Sequence, residues 1–295
     1  MKAEVKKLDH ATRELCVEVA GDVVKNKFED VFKKITQEAK IKGFRPGHAP
    51  RDIIEKEYSH VAHEQVLREL IPEAYQQALD QEKIEAIDYP QISDVKLERT
   101  LLSFKAKVEI TPEIVVKNYK GIALTYAKPA VSSDEIKRQL DSIKESRTID
   151  TMDDAFARGL GYPSLDELKA VMERQALVAK DNAQRHAVEK QLIDHLTKGL
   201  DVKLPQSLVS KQLEEMLRQT KIDLALKGVP KEKIVEEEEA LRKELEPQAR
   251  RQVLVYLVLS SIARTEGIAI DDQMTHKVME LLYANAKWDV KEGNG

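Results

Sequence analysis

The chain has 295 residues, 34% of them charged and only 5% aromatic, which gives room for about two domains and favours long helices over an aromatic-rich β-sandwich. A formal net charge of −4 excludes a globally basic nucleic-acid binder but leaves a local basic patch open. The one cysteine, Cys16, excludes a disulfide framework or a cysteine-based zinc site within the chain and fits a reducing cytoplasmic compartment.

From the N-terminus, MKAEVKKLDHATREL has no apolar signal core, and the longest apolar run, 253–259, is too short to cross a bilayer, so no membrane partner is expected. Residues 14–20 (ELCVEVA) alternate apolar and polar, the period of a half-buried strand with Cys16 inside it. From Asp22 the spacing of Val24, Phe28, Val31, Phe32 and Ile35 predicts an amphipathic helix to about residue 40. The loop IKGFRPGHAP follows, and Pro50 opens a short helix where its missing N–H is not needed. A longer helix is expected over 61–79, either kinked or restarted at Pro72. Residues 102–110 (LSFKAKVEI) alternate most cleanly and predict a strand. Residues 1–112 are therefore expected to form an α+β domain.

The remainder, 113–295, is expected to be a linker and an all-α domain, in which the length of the helical stretch to about 198 suggests an arm or a hairpin. An extended linker runs from TPE at 111–113 to Pro129. Ser132 and Glu135 form a capping box for a helix to about residue 146. A helical pattern then continues to about 198, and Pro205, Pro230 and Gly267 divide the rest into helices near 205–227, 231–265 and 271–288. The acidic run at 236–239 reads as a solvated helix face.

Catalytic chemistry leaves little trace. There is no GxSxG, GxxxxGK[ST] or GxGxxG pattern, so no catalytic residue and no cofactor is assigned. His60, His63 and Glu64 could share a metal only with a further ligand that no spacing supplies, and they read as helix-surface side chains. Cys16 reads as a buried strand cysteine, since no nearby charged cluster would activate it. The strongest signal is electrostatic. Between residues 33 and 51 stand six bases (Lys33, Lys34, Lys40, Lys42, Arg45, Arg51) against one acid, Glu38, a local charge of +5. Gly43 and Gly47 allow backbone angles closed to other residues, and Pro46 pushes Arg45 toward an extended conformation. Such a tip could present Phe44 and Arg45 to an RNA or a polar protein surface; the other reading is a Gly/Pro turn with Phe44 tucked inward.

The stretch GFRPGHAP resembles the ribosome-docking signature GFRxGxxP of bacterial trigger factors. The resemblance extends through YKGIAL at 119–124 and DDAFARGLG from residue 153, over essentially the whole chain. It implies an α+β ribosome-binding domain followed by a helical domain with two arms that cradles nascent polypeptides at the exit tunnel. The partners would be ribosomal protein, rRNA and nascent or unfolded chains, with a homodimer off the ribosome as a further arrangement. Carried onto this chain, Lys42, Gly43, Phe44, Arg45, Pro46 and Gly47 form the docking tip. Pro46 stands where many members have a base, which would weaken docking or shift weight to Lys42. Between the capped helix and DDAFARG, members usually carry a prolyl isomerase domain, whereas here RTIDTMDD joins the two segments directly. That domain is expected to be absent near 147–152, and isomerase activity with it. Leu213, Met216 and Leu217 on one helix and Met274, Val278 and Leu281 on another are candidates for the client-binding surface or for the domain's own core. A ribosome-free holdase using the same cradle is the alternative function.

Overall fold

The computed structural model describes residues 1–39, 41, 44, 48–147, 153–200 and 202–292, with residues 144, 146 and 147 as backbone alone. Strand β1 (Lys2–Lys7) pairs antiparallel with β2 (Thr12–Ala20), and the chain then enters helix α1 (Asp22–Glu38). After α2 (Arg51–Glu57) and α3 (Ser59–Glu82) it returns as β3 (Gln91–Glu98) and β4 (Leu101–Glu109). The sheet order is β1-β2-β4-β3, antiparallel throughout, so β2 and β4 are the central pair.

The register explains the core. Leu15, Val17 and Val19 of β2 lie opposite Ala106, Phe104 and Leu102 of β4, all on the face that is buried. Against that face pack Val24, Phe28, Val31 and Phe32 of α1, Ile54 of α2, and Ala62, Val66, Leu70, Ala74 and Ala78 of α3. Burying one such side chain contributes roughly 1.5–3 kcal/mol. Helix α3 runs unbroken through Pro72, which is exposed, so the sequence-based kink or restart resolves as one continuous helix. The edge strand β3 is largely exposed. A bulge between Ser93 and Lys96 carries Asp94 at φ 52, and its carboxylate bonds Lys105 at 2.6 Å.

Beyond residue 114 the expected linker contains a strand, β5 (Ala123–Ala127). Helices α4 (Ser133–Arg147), α5 (Asp154–Gly159) and α6 (Leu165–Thr197) follow, then α7 (Gln206–Leu226), α8 (Lys231–Glu236), α9 (Glu238–Glu266) and α10 (Met274–Ala284). The helix expected over 271–288 stops at Ala284, and Lys287–Lys291 forms β6, parallel to β5. The helical part therefore holds a two-stranded sheet made by segments far apart in sequence, a pairing that no local pattern announces.

Two compact units result, Met1–Ile114 with Asp201–Leu257, and Val115–Leu200 with Val258–Gly295. In the first, the Glu109 carboxylate at the end of β4 accepts the N–H groups of Gln206 (3.1 Å) and Ser207 (2.8 Å) and the Ser207 hydroxyl (2.6 Å). It thereby serves orphan donors at the start of α7 that the preceding Pro205 cannot cap. In the second, Ile136 and Leu140 of α4 share a core with Ala157 of α5 and Leu168 of α6, and Lys180 ties Glu135 (2.6 Å) to α6. Asp153 and Ser164 cap α5 and α6 by accepting the N–H of Phe156 and Glu167.

Candidate functional site

The loop after α1 is held at both ends by buried side chains. Ala39 and Ile41 are buried on one side, and Ile54 of α2 is fully buried on the other. Between them Phe44 is 40% exposed, its N–H donating to the Ile41 carbonyl at 3.1 Å. Phe44 is thus partly accessible to solvent, which favours the presented tip over the inward-tucked alternative. Lys42, Gly43, Arg45, Pro46 and Gly47, like Lys40 of the basic run, lie outside the described residues.

The charge around the loop differs from the linear count. Lys33 pairs with Asp30 (3.8 Å) and Lys34 with Glu69 of α3 (3.2 Å). Arg51 bonds Glu29 of α1 and also Glu55 (2.8 Å), and Glu55 in turn accepts from Arg99 in the β3–β4 turn. The Arg99 guanidinium sits over the rings of Phe28 and Phe32, at 5.7 and 5.4 Å from their centroids. Hydrogen bonds from Arg99 and then Arg51 hold the Glu55 carboxyl below its ordinary range, and Arg51 does the same for Glu29. Three of the six bases are therefore matched by acids, Lys33 by one of its own helix and Lys34 and Arg51 by acids of neighbouring helices. Exposed pairs of this kind contribute about 0–1 kcal/mol each, but together they join α1, α2 and the β3–β4 turn where the loop rejoins the domain. Sequence reading missed Glu29, Glu55, Glu69 and Arg99; the four-residue spacing of Arg51 and Glu55 was the one visible clue.

The six candidates for client contact divide. Leu213, Leu217, Met274 and Val278 are interior, at 7%, 2%, 1% and 0% exposure, while Met216 and Leu281 are half-buried. Val209, Leu213 and Leu217 recur every fourth residue on one stripe of α7, the stripe that a helix turns toward its own domain. Hydrogen bonds and ion pairs of Gln212 with Gln252, Glu214 with Arg242 and Lys221 with Glu238 hold α7 alongside α9. These four residues are buried, which favours the domain-core alternative over the client-binding one for them. The exposed apolar side chains lie elsewhere: Ile222 and Leu226 at the end of α7, Val235 on α8, and Leu177 and Val178 on α6.

The remaining candidates take structural roles. His63 Nδ1–H donates to Ser59 O (2.7 Å) and its ring stands edge-on to Phe28 at 5.1 Å, so it is packed where a surface imidazole was expected; His60 is exposed beside Glu64. Cys16 falls on the outer face of β2, half-buried, because it alternates with the inward Leu15 and Val17. Among the described residues no group of three His, Cys, Asp or Glu side chains could hold a metal, and no helix is long and apolar enough to cross a membrane.

The fold is thus an α+β domain with an exposed aromatic on a loop, joined to a long helical remainder. The family model described as Bacterial trigger factor protein (TF) matches residues 1–143, and that described as Bacterial trigger factor protein (TF) C-terminus matches 164–293. The chain belongs to the bacterial trigger factor family. A trigger factor of Halothermothrix orenii is 23% identical, with 95% of this chain and 90% of the relative covered. That alignment runs over 385 residues although this chain has only 295, so relative sequence amounting to about a small domain has no counterpart here. A trigger factor of Geobacter sulfurreducens is 36% identical over 149 residues, covering 50% of this chain and 34% of that one. Among solved structures, a trigger factor chaperone studied for promiscuous substrate recognition in folding and assembly is similar in fold. Its TM-score is 0.53 at 14% identity, covering 96% of this chain and 90% of that one.

Proposed function

We infer that this protein is a ribosome-associated chaperone that shields nascent or unfolded polypeptides without nucleotide or cofactor. The observation that carries the reading is the match of both family models, in order, to nearly the whole chain. The docking element is the tip 42–47, with Lys42, Gly43, Phe44, Arg45, Pro46 and Gly47 meeting ribosomal protein and rRNA near the exit tunnel; the partly accessible Phe44 supports it. Residues 1–112 act as the ribosome-binding domain and 113–295 as the linker and chaperone domain. In this reading the isomerase domain is missing near 147–152 and isomerase activity with it, and the chain acts as a chaperone in the cytoplasm.

The mechanism requires area and adaptability only. Covering client apolar surface gains on the order of 25 cal/mol per Å², so many weak contacts delay collapse without locking the client. Met216, Leu281 and the exposed Ile222, Leu226 and Val235 are the side chains available for it. Co-pelleting with empty ribosomes tests the reading. The chain should pellet, and replacing Phe44, Arg45 and Pro46 together by alanine should weaken pelleting strongly with helical circular dichroism unchanged. Pelleting that survives the triple substitution refutes the docking assignment. Aggregation suppression without any pelleting would identify the ribosome-free holdase instead.

A further inference from the structure

The β5–β6 pair has one closed edge and one open edge. In a parallel ladder, alternate residues of a strand turn both their N–H and C=O to the same neighbour. The Lys287 N–H donates to Ile122 O at 2.8 Å and Lys291 O accepts from Lys128 N–H at 2.9 Å, so residues 287, 289 and 291 face β5. On β5 the set facing away includes Thr125, and the Gln191 side chain of α6 closes it. Thr125 N–H donates to Gln191 Oε1 (3.0 Å), and Thr125 O accepts from Gln191 Nε2 (3.1 Å). On β6 the set facing away is Trp288 and Val290, and their main-chain groups have no partner among the described residues.

The side chains around this open edge are ordered by the same alternation. Trp288 and Val290, 47% and 54% exposed, share one face. The Trp288 ring is held by its Nε1–H donating to Tyr283 O (3.1 Å) and by the Tyr283 ring, 6.0 Å between centroids. Lys287, Asp289 and Lys291 share the other face, where Lys291 leans on Asp289 at 3.8 Å and Lys287 has no ion pair among the described residues. In the antiparallel register of greatest overlap a second copy of β6 fits badly: pairing residue 288 with 290 would set each Asp289 against its own copy and each Lys287 against a Lys291, and like charges directly opposite destabilise a strand pair.

We propose that the open edge of β6 takes an extended client segment as an added strand, one with apolar side chains beside Trp288 and Val290 and acidic side chains beside Lys287 and Lys291. The proposal rests on the polypeptide-binding reading above and gives it a main-chain recognition site, independent of client sequence at the hydrogen bonds and selective at the flanking faces. Trp288 is the chain's single tryptophan, so its emission reports occupancy directly.

The test titrates the whole chain with a short end-capped peptide alternating valine with glutamate. A saturable blue shift of Trp288 emission is expected, and the same peptide with lysine in place of glutamate should bind more weakly. Two N-methylated versions, methylated at one or the other alternate set of amides, should differ: one loses binding and the other keeps it. Val290→Pro removes an N–H that points away from β5 and should weaken binding about tenfold with the fold intact. Equal binding of the two methylated peptides, an unsaturable response, or a spectral change that follows protein concentration alone, as a second copy would give, overturns the proposal. Aggregation suppression measured on the same sample separates the cases: if it persists while the peptide fails, the edge site falls and the chaperone reading stands.

Discussion

Whether the apolar residues of α7 serve the domain or the client is decided by comparing Leu217→Ala with Leu226→Ser. Leu217 is 2% exposed on the stripe shared with Val209 and Leu213, whereas Leu226, at the end of the same helix, is 82% exposed. Truncating a leucine so enclosed removes its transfer free energy and leaves a cavity, a loss of about 2–5 kcal/mol. Taking roughly 3 kcal/mol, and about 2–4 °C per kcal/mol for a unit of this size, the transition of the unit holding 1–114 and 201–257 should fall by about 6–12 °C. Leu226→Ser has no enclosed contacts to lose and should stay within about 0.5 kcal/mol of the parent. Thermal melts followed by circular dichroism give the first quantity. Light scattering of a denatured client diluted at 25 °C, where both variants remain folded, gives the second. Leu217→Ala should melt early yet protect the client as the parent does, and Leu226→Ser should melt normally and protect less. A Leu217→Ala protein that melts like the parent but has lost protection would refute the assignment of this stripe to the core.

Three further outcomes follow from the geometry. Burial raises the Asp9 carboxyl, but the Lys203 ammonium at 2.7 Å and the Ala11 N–H at 2.9 Å outweigh it and hold its pKa at about 2. A depressed carboxyl stabilises the fold above its ordinary range near 4 and loses that as pH falls toward 2. Asp9→Asn should therefore cost about 1–2 kcal/mol at neutral pH and flatten urea-unfolding stability between pH 4 and 2. Glu109→Ala strips the carboxylate from the start of α7 and should cost about 1–2 kcal/mol in the same assay, with Ser164→Ala at the α6 cap costing about 1 kcal/mol. Limited proteolysis should spare the join at 148–152 or nick it without releasing independently folded pieces 1–147 and 153–295; two stable fragments would contradict the shared core of α4, α5 and α6.

Elements whose apolar period is long or clean were legible in the sequence. Residues 14–20 and 102–110 became the central strands because alternation marks a sheet with one covered face, and α1 carries its buried stripe where the spacing put it. The strands missed are those without such a face: β1 and β3 are exposed along most of their length, and β5 and β6 find each other across more than half the chain. The same limit applies at the loop. Its Gly/Pro punctuation and Phe44 could be read directly, but the acids that match Lys34 and Arg51 come from Glu69, Glu29 and Glu55, two of them on other helices, so a count along the chain overstates the positive field. Burial of Leu213, Leu217, Met274 and Val278 was equally out of reach, because an apolar stripe looks the same whether it meets its own domain or a client.

The placement of α4 explains how the chain can lack a domain that its relatives carry and remain whole. Ile136 and Leu140 before the join and Ala157 and Leu168 after it are all buried in one cluster, and Lys180 of α6 reaches back to both the Glu135 carboxylate and the Ala130 carbonyl at 2.6 Å. The two flanks thus hold each other through side chains outside the join itself. A polypeptide inserted between residues 147 and 153 would have to leave and re-enter the same unit without contributing to its core, and a short polar connector can stand in its place at little cost in packing. For the same reason the cluster, and not the length of the connector, sets the stability of this unit. Leu140→Ala, which opens the cluster directly, should therefore destabilise it by about 2–4 kcal/mol, whereas inserting a few glycine and serine residues at the join should cost about 0.6 kcal/mol per doubling of loop length. The opposite order in thermal melts, with the insertion costing more than the truncation, would show that the join is itself a packed element and that the flanks depend on it.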